Sequence, residues 1–279
     1  MQKDDFKQFF QDQFKALNQG VHRQQEDDAT RITSEMMIDG APLINFQLVA
    51  KLFRGRPLEI KDTPFVSIAE ISARAPETVT DHQRCNAPGR SILYASNNLS
   101  TVFSELNAQK GQQIQVLEFE SRPSLSVQAL WIGAVDHYRR HGEFPRLMRP
   151  QTQNALQGLT TRGGAVSTSQ REYEMLLDAF LSHVFRAEEL QKSIYSIYKL
   201  TSILAEVFFD NAPTLEAIMY PSVGHLGGWN IAIKPDLLDQ KFNVLSIEVH
   251  QVEEDLGYGI YRTKRQARAK SIENGMIGW

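Results

Sequence analysis

The sequence predicts an α+β fold, a mixed sheet core flanked by helices and preceded by an N-terminal helical extension. Apolar residues recur at helical spacing in some stretches, while short runs of apolar and β-branched residues, bounded by Pro, Gly and Ser, read as strands in others. The two kinds follow one another without regular βαβ alternation, which argues against a doubly wound sheet. The 279 residues are enough to bury a real core, and 42% hydrophobic with 23% charged residues excludes wholesale disorder.

Residues 3 to 18 set Phe6, Phe9, Phe10, Phe14 and Leu17 on one helical stripe that Gly20 ends, and a second helix is expected near Ile32 to Met37 before Gly40 and Pro42. Residues 1–45 therefore form the extension, either packed on the body or presented to a partner, and residues 46–279 form the main domain. LVAKLFRGRP and IQVLEFES read as strands, and residues 133 to 141 and 170 to 190 as helices, with a polar, Gly-containing loop at 150–169 between them. IYSIYKLTSILAEVFF, residues 194 to 209, is an apolar helix stopped by the Asp210–Pro213 stretch. LEAIMY, WNIAIKP and FNVLSIEVHQV follow as strands, the first two stopped by Pro221 and Pro235.

Several chemistries are excluded by pattern. The start lacks a basic segment leading into an apolar run, so no secretory signal is read there. No apolar stretch reaches the length of about 18 residues that a membrane span needs. The single cysteine, Cys85, excludes an intrachain disulfide and a cysteine zinc cluster, and a reducing cytoplasm is the expected setting. GHLGG at 224–228 is neither a dinucleotide fingerprint nor a phosphate loop, and no GxSxG elbow occurs. His137 and His141 stand four apart without a third ligand, so no metal is expected. The net charge of −3 gives no global attraction to nucleic acid, and the basic RTKRQARAK segment reads as solvated surface, so any anionic ligand must be held by locally placed arginines.

The chemistry concentrates in RCNAPGRSILYASNNLSTVFSEL, residues 84 to 106. Alternation in SILYAS sends Ile92 and Tyr94 to one face of a strand and Leu93 and Ala95 to the other. Asn97 or Asn98 then caps a helix whose Leu99, Val102, Phe103 and Leu106 form its apolar stripe. At about 100° per residue, Glu105 lies roughly 110° from the centre of that stripe and borders the core without entering it. Before the strand, Arg84, Asn86 and Pro88-Gly89 form a turn in which an arginine and an amide can converge on an anion. Farther on, YPSVG puts Ser222 just beyond a strand end, where a hydroxyl can face a pocket.

In order, LFRGRP, RCNAPGRSILYASNNLSTVFSEL and LAEVFFDNAPTLEAIMYPSVGHLGGWNIAIKP resemble the RES family, over about residues 48 to 108 and 195 to 250. That family is named for its arginine, glutamate and serine. It is similar in fold to ADP-ribosyltransferase toxins, and many members are NAD-consuming toxins of toxin–antitoxin pairs. The resemblance implies an ADP-ribosyltransferase-like fold and matches Arg54 and Arg84 to the family arginines, Tyr94 to the LYA tyrosine, Glu105 to the glutamate and Ser222 to the serine. Gln83 and Cys85 depart from the glycine and aromatic that usually flank the second arginine.

The implied activity is cleavage of the nicotinamide–ribose bond of NAD, with phosphate or water as acceptor. The alternatives are ADP-ribosylation of a protein target and a non-catalytic nucleotide-binding module. The leaving group is neutral, so no metal is called for; positive charge grows on the ribose, and a carboxylate such as Glu105 stabilises it. Arg84 and Arg54 are assigned to the pyrophosphate, Tyr94 to the nicotinamide or its ribose, and Ser222 to a phosphate or ribose oxygen, with Arg56, Asn86 and Asn230 as secondary contacts. NAD, inorganic phosphate, an antitoxin protein and a second copy of the chain are the expected partners.

Overall fold

The computed structural model describes residues 43–46, 51–60, 62–123, 125–148, 168–187 and 197–279, with Gln8, Asp12 and Gln153 as isolated positions. The expected helices at 3–18 and 32–37 and most of the 150–169 loop lie outside the described residues. In chain order the elements are β1 (Leu43–Phe46), β2 (Leu52–Pro57), α1 (Ile68–Ile71), β3 (Leu93–Ser96), α2 (Leu99–Glu105), β4 (Gln113–Ser121) and β5 (Val127–Trp131). They continue with α3 (Ala134–His141), α4 (Thr168–Arg186), α5 (Ile197–Asn211), β6 (Ala217–Pro221), β7 (Trp229–Ile233) and α6 (Leu237–Lys241). Four strands complete the chain: β8 (Phe242–Asp255), β9 (Tyr261–Arg268), β10 (Ser271–Glu273) and β11 (Met276–Gly278). Helices and strands mix without βαβ alternation, so the α+β class holds. Among the described residues no helix is long and apolar enough to cross a membrane.

Two compact units interleave along the sequence. One comprises Asp81–Pro88 and Gln128–Tyr220 with the chain up to Phe46; the other comprises Gln47–Thr80, Gly89–Val127 and Pro221–Trp279.

In the second unit the strands run in the order β7-β3-β2-β4-β8-β9, every neighbour antiparallel. The expected alternation of β3 is present: Leu93 and Ala95 are buried, Tyr94 half-buried. Register fixes which residues share a face, because side chains directly opposite in an antiparallel pair point the same way. Phe53 opposes Ser96, Gly55 opposes Val116, and Ser96 opposes Asn230. On this face α2 packs with Phe103 against Ile114, Val116 and Val252, and Phe53, Leu99, Leu106 and Tyr261 border the cluster. At Gly55 helix and sheet come close: a Cβ there would lie 2.3 Å from Val102 Cγ1. The opposite face carries Leu52, Leu93, Ala95, Leu117, Phe119 and Ile231 into a second layer of buried side chains.

The basic RTKRQARAK segment, expected as solvated surface, has its first seven residues within β9. Its charges are exposed as anticipated, yet backbone pairing with β8 and ion pairs Arg262–Glu254 (2.7 Å) and Arg265–Glu248 (3.0 Å) make it a strand. Both faces are polar, so the segment lacks the apolar alternation by which strands are read. Strand β5 and helix α6 were likewise not anticipated.

In the first unit β5 and β6 pair in parallel, Ala129 opposite Ala217 and Trp131 opposite Met219. Helix α3 begins at a buried carboxylate: Asp178 of α4 accepts from Gly133 N and Asp136 N, both at 2.7 Å, which satisfies donors that a helix start leaves open. Burial pushes Asp178 up to about 7, against the pull of those backbone donors. Asp136 is also buried, but bonds from Arg139 and Arg140 outweigh burial and hold it below the usual carboxylate range.

Candidate functional site

Asn98 caps α2, its Oδ1 accepting from Thr101 N at 2.8 Å, and this sets the helix phase that carries Glu105 to the last turn. A carboxylate there faces the helix's own carbonyl dipoles and needs donors from elsewhere. The loop between β6 and β7 supplies them. Ser222 Oγ donates to Glu105 Oε1 at 2.5 Å, and Val223 N donates to the same oxygen at 3.2 Å. Both bonds fall on Oε1, so Oε2 has no partner within the chain among the described residues, and Glu105 is exposed while Ser222 is buried. A carboxylate oriented through one oxygen presents the other to a ligand.

The loop is closed on itself by Ser222 N to Gly228 O (2.9 Å) and Gly228 N to His225 O (3.0 Å), and His225 N donates to Ser222 Oγ at 3.0 Å. Ser222 thus accepts from His225 and donates to Glu105. Its hydroxyl proton, expected to meet a substrate oxygen, is directed at the carboxylate.

Asn230 and Tyr94 stand on the sheet face that also carries Ser96. Ser96 Oγ donates to Asn230 Oδ1 at 2.7 Å, while Asn230 Nδ2 is buried without a hydrogen-bond partner. An amide with its acceptor end engaged and its donor end open suits a ligand oxygen.

Register puts Arg54 and Arg56 on the opposite face, since each is one residue from Gly55. Arg56 is engaged there: its guanidinium lies 5.2 Å from the Phe65 ring centroid and donates to the Glu70 carbonyl at the end of α1. Arg54 is half-buried beside it on the strand.

Arg84 and Asn86 belong to the other unit. Gln83 N bonds Asn86 O at 2.9 Å, which forms the expected turn. Arg84 is 8% exposed; Nη2 donates to Ala187 O at 3.1 Å and the guanidinium stacks 4.9 Å from the Tyr198 centroid, while Nη1 is buried without a hydrogen-bond partner. A cation at the end of α4 also complements the helix dipole. Next to it, burial pushes the Cys85 thiol far up, which leaves it inert as a nucleophile. His137 and His141 lie against each other on α3 with centroids 4.5 Å apart and rings tilted by 46°, and among the described residues no group of three or more His, Cys, Asp or Glu is placed to hold a metal.

Sequence reasoning missed Thr101 and His225. Thr101 is wholly buried and stands one helical turn before Glu105, a spacing visible in the sequence; His225 lies in the glycine-rich stretch set aside for lacking a phosphate-loop pattern. Comparison of the chain with protein-family models and with curated proteins gives no match in either.

Proposed function

We propose that the protein cleaves the nicotinamide–ribose bond of NAD, with phosphate or water as acceptor, on an ADP-ribosyltransferase-like fold of the RES type. The observation that carries the reading is the Glu105–Ser222 bond, which joins the glutamate and serine of the resemblance across 117 residues of sequence. Glu105 Oε2 takes the ribose hydroxyls and stabilises the cation that grows as neutral nicotinamide departs; Ser222 and Val223 fix the carboxylate beforehand, so little reorganisation accompanies the step. The glycosidic bond breaks with its electron pair leaving on nicotinamide. Water or phosphate then forms the new bond to the ribose carbon, giving ADP-ribose, with loss of a proton, or its phosphate ester. Asn230 Nδ2 donates to a substrate oxygen, and Tyr94 packs on the nicotinamide ribose. This reading gives no pyrophosphate role to Arg54, which stands on the sheet face opposite Tyr94 and Asn230.

The test is incubation of the protein with NAD, with and without phosphate, following nicotinamide and the ribose product beside Glu105→Gln. Release should fall by about a hundredfold or more in the variant while NAD affinity changes little. Intact NAD with wild-type protein in both buffers would reject the reading.

A further inference from the structure

Thr101 and Glu105 are one turn apart on α2 and share a face, and a single loop grips both. Ser222 and Val223 bond Glu105; His225 bonds Thr101, ring Nδ1 to Oγ1, at 2.7 Å. Between the grips the backbone lies against the helix, where a Cβ on Gly224 would come within 3.0 Å of the Ser104 carbonyl oxygen. The half-buried imidazole has close neighbours: a Cβ on Gly228 would stand 3.0 Å from its Nδ1, and one on Gly259, in the turn between β8 and β9, 2.5 Å from its Cδ2.

The hydrogen bonds also fix which nitrogen carries the proton. Thr101 Oγ1 donates to Asn98 Oδ1 at 3.0 Å, and a hydroxyl has only one proton to give, so the ring Nδ1 must be the donor in the second bond. Asn98 is held in turn, its Nδ2 donating to Asn97 Oδ1 at 3.2 Å, which also accepts from Trp229 N at 2.9 Å. The chain of bonds runs from the first residue of β7 through the cap of α2 to the ring.

We infer that His225 is a positioning residue for Glu105, acting as an Nδ1–H donor that pins the 222–228 loop to α2. The inference rests on Glu105 being the carboxylate that meets substrate. Without the ring the loop keeps its closure at Ser222, Gly228 and the His225 carbonyl, but the segment bearing Val223 N–H loses its second anchor on the helix. The carboxylate, at a helix end that disfavours it, then loses fixed donors.

The side-chain chemistry makes the idea testable, because asparagine places an N–H at the reach of histidine Nδ1 and glutamine at that of Nε2. Nicotinamide release and amide hydrogen exchange at Val223 and residue 225 are compared for wild type, His225→Ala, His225→Asn, His225→Gln, Thr101→Val and the His225→Ala/Thr101→Val double variant. In His225→Ala both amides should exchange about two- to tenfold faster, the worth of one neutral hydrogen bond, and kcat should fall by a similar factor with KM little changed. Asparagine should restore both readouts, glutamine neither, and the double variant should be no worse than either single one. Unchanged exchange in His225→Ala, equal rescue by glutamine, or additive losses would overturn the inference. The exchange measurement needs no substrate, so if the wild type left NAD intact the activity reading would fail, and exchange alone would decide on His225.

Discussion

Gly55→Ala tests whether the close approach of α2 to β2 governs the position of Glu105. The added methyl would sit 2.3 Å from Val102 Cγ1, 3.0 Å from Leu106 Cδ1 and 3.2 Å from Ile114 Cγ2. Carbon atoms rest at about 3.5–4.0 Å, so the first contact is short by more than about 1 Å. All three neighbours are core groups, and Val102 has few rotamers open to it in a helix. The helix must therefore move away from the strand. Overpacking of this kind costs about 1–3 kcal/mol, and at about 2–4 °C per kcal/mol the melting temperature should fall measurably. Glu105 ends the same helix, so under the proposed activity a shift of about 1 Å would also cost up to about a hundredfold in rate. The check is calorimetry and nicotinamide release on Gly55→Ala, Val102→Ala and the double variant. Val102→Ala removes the clashing methyl, so the double variant should be more stable than the sum of the single losses predicts. A Gly55→Ala protein that melts with the wild type, or a double variant whose losses simply add, would refute the steric argument.

Asp178 should give the fold a pH dependence of defined sign. Burial raises its carboxyl from 3.8 to about 7, so the folded chain favours the protonated form; this contribution is complete below pH 4 and is lost as pH rises to about 7. Urea denaturation of wild type and Asp178→Asn at pH 4.5 and 7.5 should show the difference moving in favour of the variant at the higher pH, and an equal difference at both would contradict it. Arg84→Lys should destabilise the protein, because an ammonium cannot both stack over Tyr198 and bond Ala187 O; a midpoint within error of wild type would show that neither contact matters.

The strand–helix segment at 93–105 was legible because its two periodicities are undisturbed: Leu93 and Ala95 alternate with Tyr94, and Leu99, Val102 and Phe103 recur at helical spacing. The same holds for α5 and β6, which end at Asn211, just before Pro213, and at Pro221. Pairing was not legible. That Ser96 faces Asn230, or that Arg54 and Tyr94 take opposite faces, depends on register between strands far apart in sequence. Strand β9 escaped because backbone bonds and cross-strand ion pairs hold it instead of an apolar stripe. At the site, only the resemblance linked Glu105 to Ser222, and His225 was invisible because its role depends on an Nδ1 bond to a helix more than a hundred residues earlier.

The bond between Glu105 and Ser222 also sets a schedule for the birth of the molecule. Because 117 residues separate them, a ribosome adding about 5–20 residues per second needs roughly 6–23 s to pass from one to the other. The unit that holds the carboxylate is completed only after the intervening Gln128–Tyr220 stretch has been made. Throughout that interval the emerging chain carries its glutamate without the hydroxyl and amide that orient it. A polypeptide that ends before residue 222 therefore never acquires the oriented carboxylate on which the proposed activity rests.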